Sequence, residues 1–254
     1  MLGIYFSGTG NTKHCVSSFT KQIDENSKII PLESSELKSY IINEKDTIVF
    51  GYPVQFSNAP IFVRDSIIKN KDVFKGKNIF IIATMGLFSG DGAACSARIF
   101  KKVGANVIGG LHLRMPDSVC DVSTLKKAKD ENKNLINEAD EKIKRSVELY
   151  LSGHPTKDGL SFFSHVAGLF GQRLWFYSKT AKYSDKLKIN TDECIKCGKC
   201  ISECPTGNLN FSDDKVVTKN KCTMCYRCIS QCPKKAITLI GKEVVQQYRY
   251  DNIK

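Results

Sequence analysis

No uninterrupted apolar run in the 254-residue chain approaches the roughly 20 residues that a membrane-spanning helix requires. The N-terminus lacks a basic leader, a long apolar segment and a small-residue cleavage site. Instead, Met1-Leu2-Gly3-Ile4-Tyr5-Phe6 runs straight into a glycine turn, so a cytoplasmic location is expected. The four histidines have no metal-site spacing, and no Ser/His/Asp or paired-carboxylate arrangement stands out, which leaves no legible hydrolytic chemistry. Helix-turn-helix, zinc-finger and single-strand-binding signatures are missing too, as is any legible nicotinamide-binding unit or dedicated substrate pocket.

Positive charge is in excess. Lys and Arg number 38 against 26 Asp and Glu, a formal net charge of +12, but the basic residues are dispersed and form no nucleic-acid footprint. With 41% hydrophobic residues, a chain of this length holds one full α/β domain and a small second one.

Cysteine is plentiful, and eight of the eleven fall into two runs. Cys194, Cys197, Cys200 and Cys204-Pro205 are followed by Cys222, Cys225, Cys228 and Cys232-Pro233. Each run reads C-x-x-C-x-x-C-x-x-x-C-P, and 28 residues separate equivalent cysteines, so a ligand-bearing unit is duplicated. The flanks repeat as well: Ile189-Asn190-Thr191 matches Val217-Thr218-Lys219. Three thiolates at this spacing can reach three corners of one [4Fe-4S] cube, while the fourth heads a segment that points at the other cube. Zinc would use paired knuckles and has no use for the third and fourth cysteines, and disulfides would need an oxidising compartment.

Over roughly the last quarter of the chain the sequence thus resembles the bacterial two-cluster ferredoxins. The ligand pattern of such runs puts Cys194, Cys197, Cys200 and Cys232 on one cluster and Cys222, Cys225, Cys228 and Cys204 on the other.

The first 150 residues alternate apolar strands, expected at 2–6, 28–32, 47–51, 78–84 and 106–113, with helices near 11–24, 34–41, 60–70, 91–103 and 123–151. Five strands interleaved with helices imply a doubly wound parallel sheet, with ligands at the carboxyl ends of the strands. After the first strand comes Ser7-Gly8-Thr9-Gly10-Asn11-Thr12, whose glycines, hydroxyls and following helix N-terminus suit a phosphate. It is not the G-x-x-x-x-G-K-[ST] loop, and Lys13 stands where G-x-G-x-x-G has its third glycine.

This hexapeptide closely resembles the phosphate loop of flavodoxins, which implies FMN as ligand and a flavodoxin-like fold. Two further loops stand where flavodoxins clasp the flavin ring. After strand three lie Pro53, Val54, Gln55 and Phe56; after strand four lie Thr84, Met85, Gly86, Phe88 and Gly92. Tyr52 or Phe56 could stack on the ring or serve only the core. The chain departs from simple flavodoxins in being basic, and its second ring loop lacks their tryptophan or tyrosine pattern.

Three parts are expected: a flavodoxin-like domain over 1–152, an aromatic helical linker over 153–187, and an α+β two-cluster ferredoxin domain over 188–254. In the linker Phe163, Val166, Ala167, Phe170, Leu174 and Tyr177 fall on one helical stripe, suited to interdomain packing, with docking at a membrane surface or partner as the alternative. Cys15, Cys95 and Cys120 read as small buried hydrophobes.

The whole is similar to flavodoxin–ferredoxin fusion proteins of anaerobes. That resemblance implies FMN, two [4Fe-4S] clusters and intracellular transfer of low-potential electrons to redox partner proteins. The alternative is a flavin-dependent reductase of a small substrate such as a quinone, nitro compound or oxygen species. Clusters and flavin phosphate together would lower the formal charge to about +6, which still suits an acidic protein partner. A homodimer in which flavin and cluster meet across subunits is also compatible with the sequence.

Overall fold

Side chains that alternate along the central strands serve two cores. Ile48, Phe50 and Tyr52 face one side of the sheet with Ile79, Ile81 and Ala83, while Val49, Phe80 and Ile82 face the other. A strand buried on both faces reads as a continuous apolar run, as parallel strands do. The computed structural model describes residues 1–44, 47–87, 91–161, 183 and 186–253. The aromatic stripe expected between Phe163 and Tyr177 lies outside the described residues, as does Phe88.

The strands β1 (Leu2–Tyr5), β2 (Lys28–Pro31), β3 (Thr47–Pro53), β4 (Asn78–Met85) and β5 (Asn106–Arg114) pair in parallel in the order β2-β1-β3-β4-β5. Helices α1 (Asn11–Ile23), α2 (Leu37–Asn43), α3 (Ile61–Lys69), α4 (Lys71–Phe74), α5 (Gly92–Lys102) and α6 (Lys129–Leu151) cover it. On one face Phe50, Phe74 and Phe100 meet edge to face, with centroids 5.0 to 6.2 Å apart. On the other, Phe19 of α1 stacks on Phe80 at 4.5 Å.

The last long helix is shorter than expected. Residues 123–125 form a single 3-10 turn and α6 begins at Lys129, where the Glu131 carboxylate accepts the Ala128 N–H at 3.0 Å and satisfies one of the helix's free donors. Residues 156–158 then bond to the edge strand at Gly110. Among the described residues no helix is long and apolar enough to cross a membrane.

The cysteine-rich unit repeats as a structure. The strands β6 (Lys188–Ile189) and β8 (Lys215–Thr218) precede the first cysteine of each run, and short helices Lys199–Ser202 and Arg227–Gln231 follow the second. Strand β9 (Ile237–Thr238) pairs antiparallel with β6, and β7 (Leu209–Ser212) with β8, so each repeat keeps its strand, loop, helix and strand at the 28-residue offset. Asp213 and Asp214 turn the β7–β8 hairpin with φ of 48° and 60°, the backbone that type I′ hairpin turns demand. The core of this unit, including Leu209, Val216, Ile229, Ile237 and Leu239, also takes in Cys120 from the loop after β5. The architecture is therefore a five-stranded flavodoxin-like α/β sheet with a small α+β unit beside it.

Candidate functional site

Each repeat surrounds a cavity. One is walled by Cys194, Cys197, Cys200 and Cys232 with Gly198, Val216 and Pro233; the other by Cys222, Cys225, Cys228 and Cys204 with Thr223, Arg227 and Ile229. In both, the fourth cysteine comes from the opposite run. The eight thiols form no disulfide, and among the described residues no three His, Cys, Asp or Glu side chains sit where they could share one metal ion. Four cysteines line each cavity, the number of thiolates that a [4Fe-4S] cluster takes.

The electrostatics point the same way. Burial pushes the Cys225 thiol up to about 12, with the Arg227 backbone N–H pulling weakly against it, and burial also raises Cys200, Cys222 and Cys228. Such thiols become thiolates only when a cationic group enters the cavity. Backbone N–H groups already aim at the sulfurs, from Asn208 to Cys204 at 3.2 Å and from Ala236 to Cys232 at 3.3 Å, again four residues on in each repeat. The Thr223 hydroxyl is buried beside the second cavity without a hydrogen-bond partner, and an acceptor in that cavity would satisfy it.

A cleft of about 330 Å³ opens at the carboxyl ends of the sheet strands. It lies where the strand order reverses between β1 and β3, the position at which doubly wound sheets bind ligands. Ser7, Gly8, Thr9, Asn11 and Thr12 form one wall; Pro53, Val54, Gln55, Phe56, Thr84, Met85 and Gly86 form the next. Gly10 caps α1 and Gly92 begins α5, and neither lines the cleft. Tyr52 is a core residue, its hydroxyl donating to the Gly92 carbonyl at 2.6 Å, whereas Phe56 reaches the cleft. The phosphate-loop residues are braced: Ser7 Oγ accepts the Gly10 N–H at 3.1 Å, and Thr12 Oγ1 meets Thr84 Oγ1 at 2.8 Å. The N-terminus of the 13-residue α1 and its hydroxyl-rich loop fit a phosphate, and the apolar loops beside them fit a planar ring.

Two further walls escaped the sequence reading. One is the loop after β5, Met115 to Val119, together with Leu125. Its signal was its position, since it follows a strand at the ligand-binding edge. Burial raises the Asp117 carboxyl there above the usual range, and Lys126 Nζ donates to the Asp117 carbonyl at 3.1 Å. The other wall is Met224, Cys225, Tyr226 and Ile240 from the cysteine-rich unit, which makes Cys225 common to the cleft and the second thiol-lined cavity.

This contact is pinned by polar groups from the sheet unit. Gln55 Nε2 donates to the carbonyls of Thr223 and Met224 at 2.9 and 3.1 Å. Arg227 pairs with Glu33 at 2.7 Å and donates to the Ser7 carbonyl at 2.8 Å. Asp121, almost fully buried, accepts from the Tyr226 hydroxyl at 2.9 Å and from the N–H groups of Leu239 and Ile240 at 2.7 and 2.9 Å. The tail returns as well: the Tyr250 N–H donates to the Thr9 carbonyl at 2.9 Å, and the Tyr250 ring stacks on His14 at 4.2 Å.

A family model described as a flavodoxin domain matches residues 2–166, and one described as a 4Fe-4S dicluster domain matches residues 186–233. Among solved structures, the two-electron reduced flavodoxin of Megasphaera elsdenii is 24% identical with a TM-score of 0.40, over 56% of this chain and 99% of that one. The flavodoxin of Fusobacterium nucleatum bound to flavin mononucleotide is 13% identical with a TM-score of 0.40, over 60% and 98%. No curated protein matches the sequence.

Proposed function

We propose, from the premise that the chain belongs to the flavodoxin-domain family and joins that domain to a 4Fe-4S dicluster domain, that it carries electrons one at a time through two clusters to a flavin. Cys194, Cys197, Cys200 and Cys232 hold the outer cluster. Cys222, Cys225, Cys228 and Cys204 hold the inner one. FMN occupies the cleft, its phosphate on the loop Ser7 to Thr12 and its ring between the loops at Pro53 to Phe56 and Thr84 to Gly86. When bound, the clusters supply one-electron carriers and the flavin a centre that takes one electron or two.

The single observation that carries this reading is the shared wall. Cys225 borders both the second cavity and the cleft, so the inner cluster and the flavin become neighbours without any domain movement. The first cavity faces outward: Cys197 is exposed and Ile195 beside it is 55% exposed, which suits an entry port for a redox partner protein. Lys199, Lys215, Lys234 and Lys235 lie in the same unit, and an acidic partner would find them.

The chain's own residues do the holding and the insulating. The Asn208 and Ala236 N–H groups stabilise thiolate charge, and the Arg227 guanidinium does so beside Cys225. Protein purified anaerobically should contain about eight irons and one FMN per chain. A stoichiometric zinc content, or FAD released on denaturation, would defeat the reading.

A further inference from the structure

The outer and inner cysteine loops have the same spacing and opposite surroundings. In the first loop Ile195 and Lys196 are exposed; in the second, Thr223 and Met224 are 9% and 7% exposed, and Met224 lines the cleft. We infer that the second loop is part of the flavin site, so that filling the inner cluster cavity and binding FMN reinforce each other. This rests on the proposed function above.

The argument is mechanical. Met224 and Tyr226 adopt left-handed backbone, with φ of 55° and 61°, a conformation that side-chain-bearing residues take up only at a cost. Something must hold such a loop in shape. Its sheet-side supports are the Gln55 amide on two successive carbonyls and the Arg227 contact with Ser7. The Tyr226 hydroxyl on Asp121 and the Arg227 pair with Glu33 hold its far end; the cavity side is left to Cys222, Cys225 and Cys228, which a cluster would tie together.

The loop also touches the phosphate loop directly. A side chain at Gly8 would place its first carbon 1.7 Å from the Cys225 carbonyl oxygen, so the two backbones meet with nothing between them. A change in the backbone at Cys225 is therefore felt at Gly8, one residue from Thr9. Two ligands that both stabilise one arrangement of a shared wall must favour each other's binding, and by the same factor in either direction. An oxidant that strips the inner cluster would accordingly loosen FMN, while stripping the outer one would not.

Titration of FMN into the full-length chain, freed of flavin and followed anaerobically by quenching of flavin fluorescence, tests this in three forms. Cys222→Ala, lacking the inner cluster, should bind FMN at least about tenfold more weakly than the wild type, within the range usual for coupled sites. Cys194→Ala, lacking the outer cluster, should bind it as the wild type does. Gln55→Leu, with both clusters present as judged by iron content, should also weaken FMN by several fold. Should Cys222→Ala misfold, chelator-stripped Cys194→Ala, titrated before and after its one remaining cluster is rebuilt with iron and sulfide, gives the same comparison. Equal FMN affinity in all forms would overturn the inference while leaving the proposed function intact. Equal losses in Cys194→Ala and Cys222→Ala would also overturn it, by showing general damage. Failure of the wild type to bind FMN at all would instead defeat the proposed function.

Discussion

The two cysteine repeats share spacing, strands and helix positions, yet one sits at the surface and the other is packed into the rest of the molecule. The difference is concentrated where the motifs allow variation. The first repeat has Gly198 at the left-handed position before its helix, φ 73°, the conformation glycine adopts at least cost. The second has Tyr226 there, φ 61°, its hydroxyl bonded to Asp121 of the sheet unit. Lys199, at the surface, has as its counterpart Arg227, which reaches Glu33 and Ser7. Duplication thus supplies two like cysteine-lined cavities, and a few differing residues in the second fasten it to the cleft of the sheet unit.

The largest expected effect comes from crossing the repeats. Cys204→Ala, although it lies in the first run, should remove the inner cluster and halve the iron from about eight to about four per chain. Signals confined to the outer cluster being lost would break the comparison at its root. Asp121→Ala comes next. It strips three donors, two of them in buried hydrogen bonds, of a carboxylate acceptor, so the cysteine-rich unit should lose about 3 kcal/mol of stability, seen as a lower unfolding midpoint at the iron-sulfur absorbance. An unchanged midpoint would mean that the second repeat is not anchored there.

Acid should separate the sheet unit from the repeats. Burial lowers His112 from 6.5 to about 4, with the neighbouring Asp158 opposing this and Lys142 adding to it, and its Nε2 accepts the Ala93 N–H at 3.1 Å. Because the unfolded chain takes up this proton first, stability should fall as pH drops from about 6.5 towards 4, by no more than about 3 kcal/mol. Denaturant melts of flavin-free protein at several pH values should show that slope, and His112→Gln should flatten it. The smallest effects return to the turn position. Gly198→Ala should cost about 1 kcal/mol through left-handed strain, and Tyr226→Phe about the same by leaving Asp121 short of a donor.

Much of this was legible in the sequence because it depends on local pattern. Continuous apolar runs interleaved with helices set the sheet, and the intervals among Cys194 to Cys232 set two like units. What could not be read was which surfaces meet. Asp121 follows a strand with nothing in its neighbours to mark it, and its role exists only because Tyr226 and the Leu239–Ile240 backbone arrive from more than 100 residues away. Met224 reads as one of the two variable residues between Cys222 and Cys225. Helix α6 starts late because Glu131 caps it, a local signal outweighed by the amphipathic pattern extending back to Leu125.

The claim that the inner cluster is the flavin's neighbour and the outer one the port is tested most directly by anaerobic stopped-flow reduction with a low-potential one-electron donor. In the wild type, cluster bleaching should precede flavin bleaching. In Cys204→Ala reconstituted with FMN, the outer cluster should still load while flavin reduction becomes much slower. Flavin reduced as fast without the inner cluster, or reduced rapidly by NADH alone, would contradict the account.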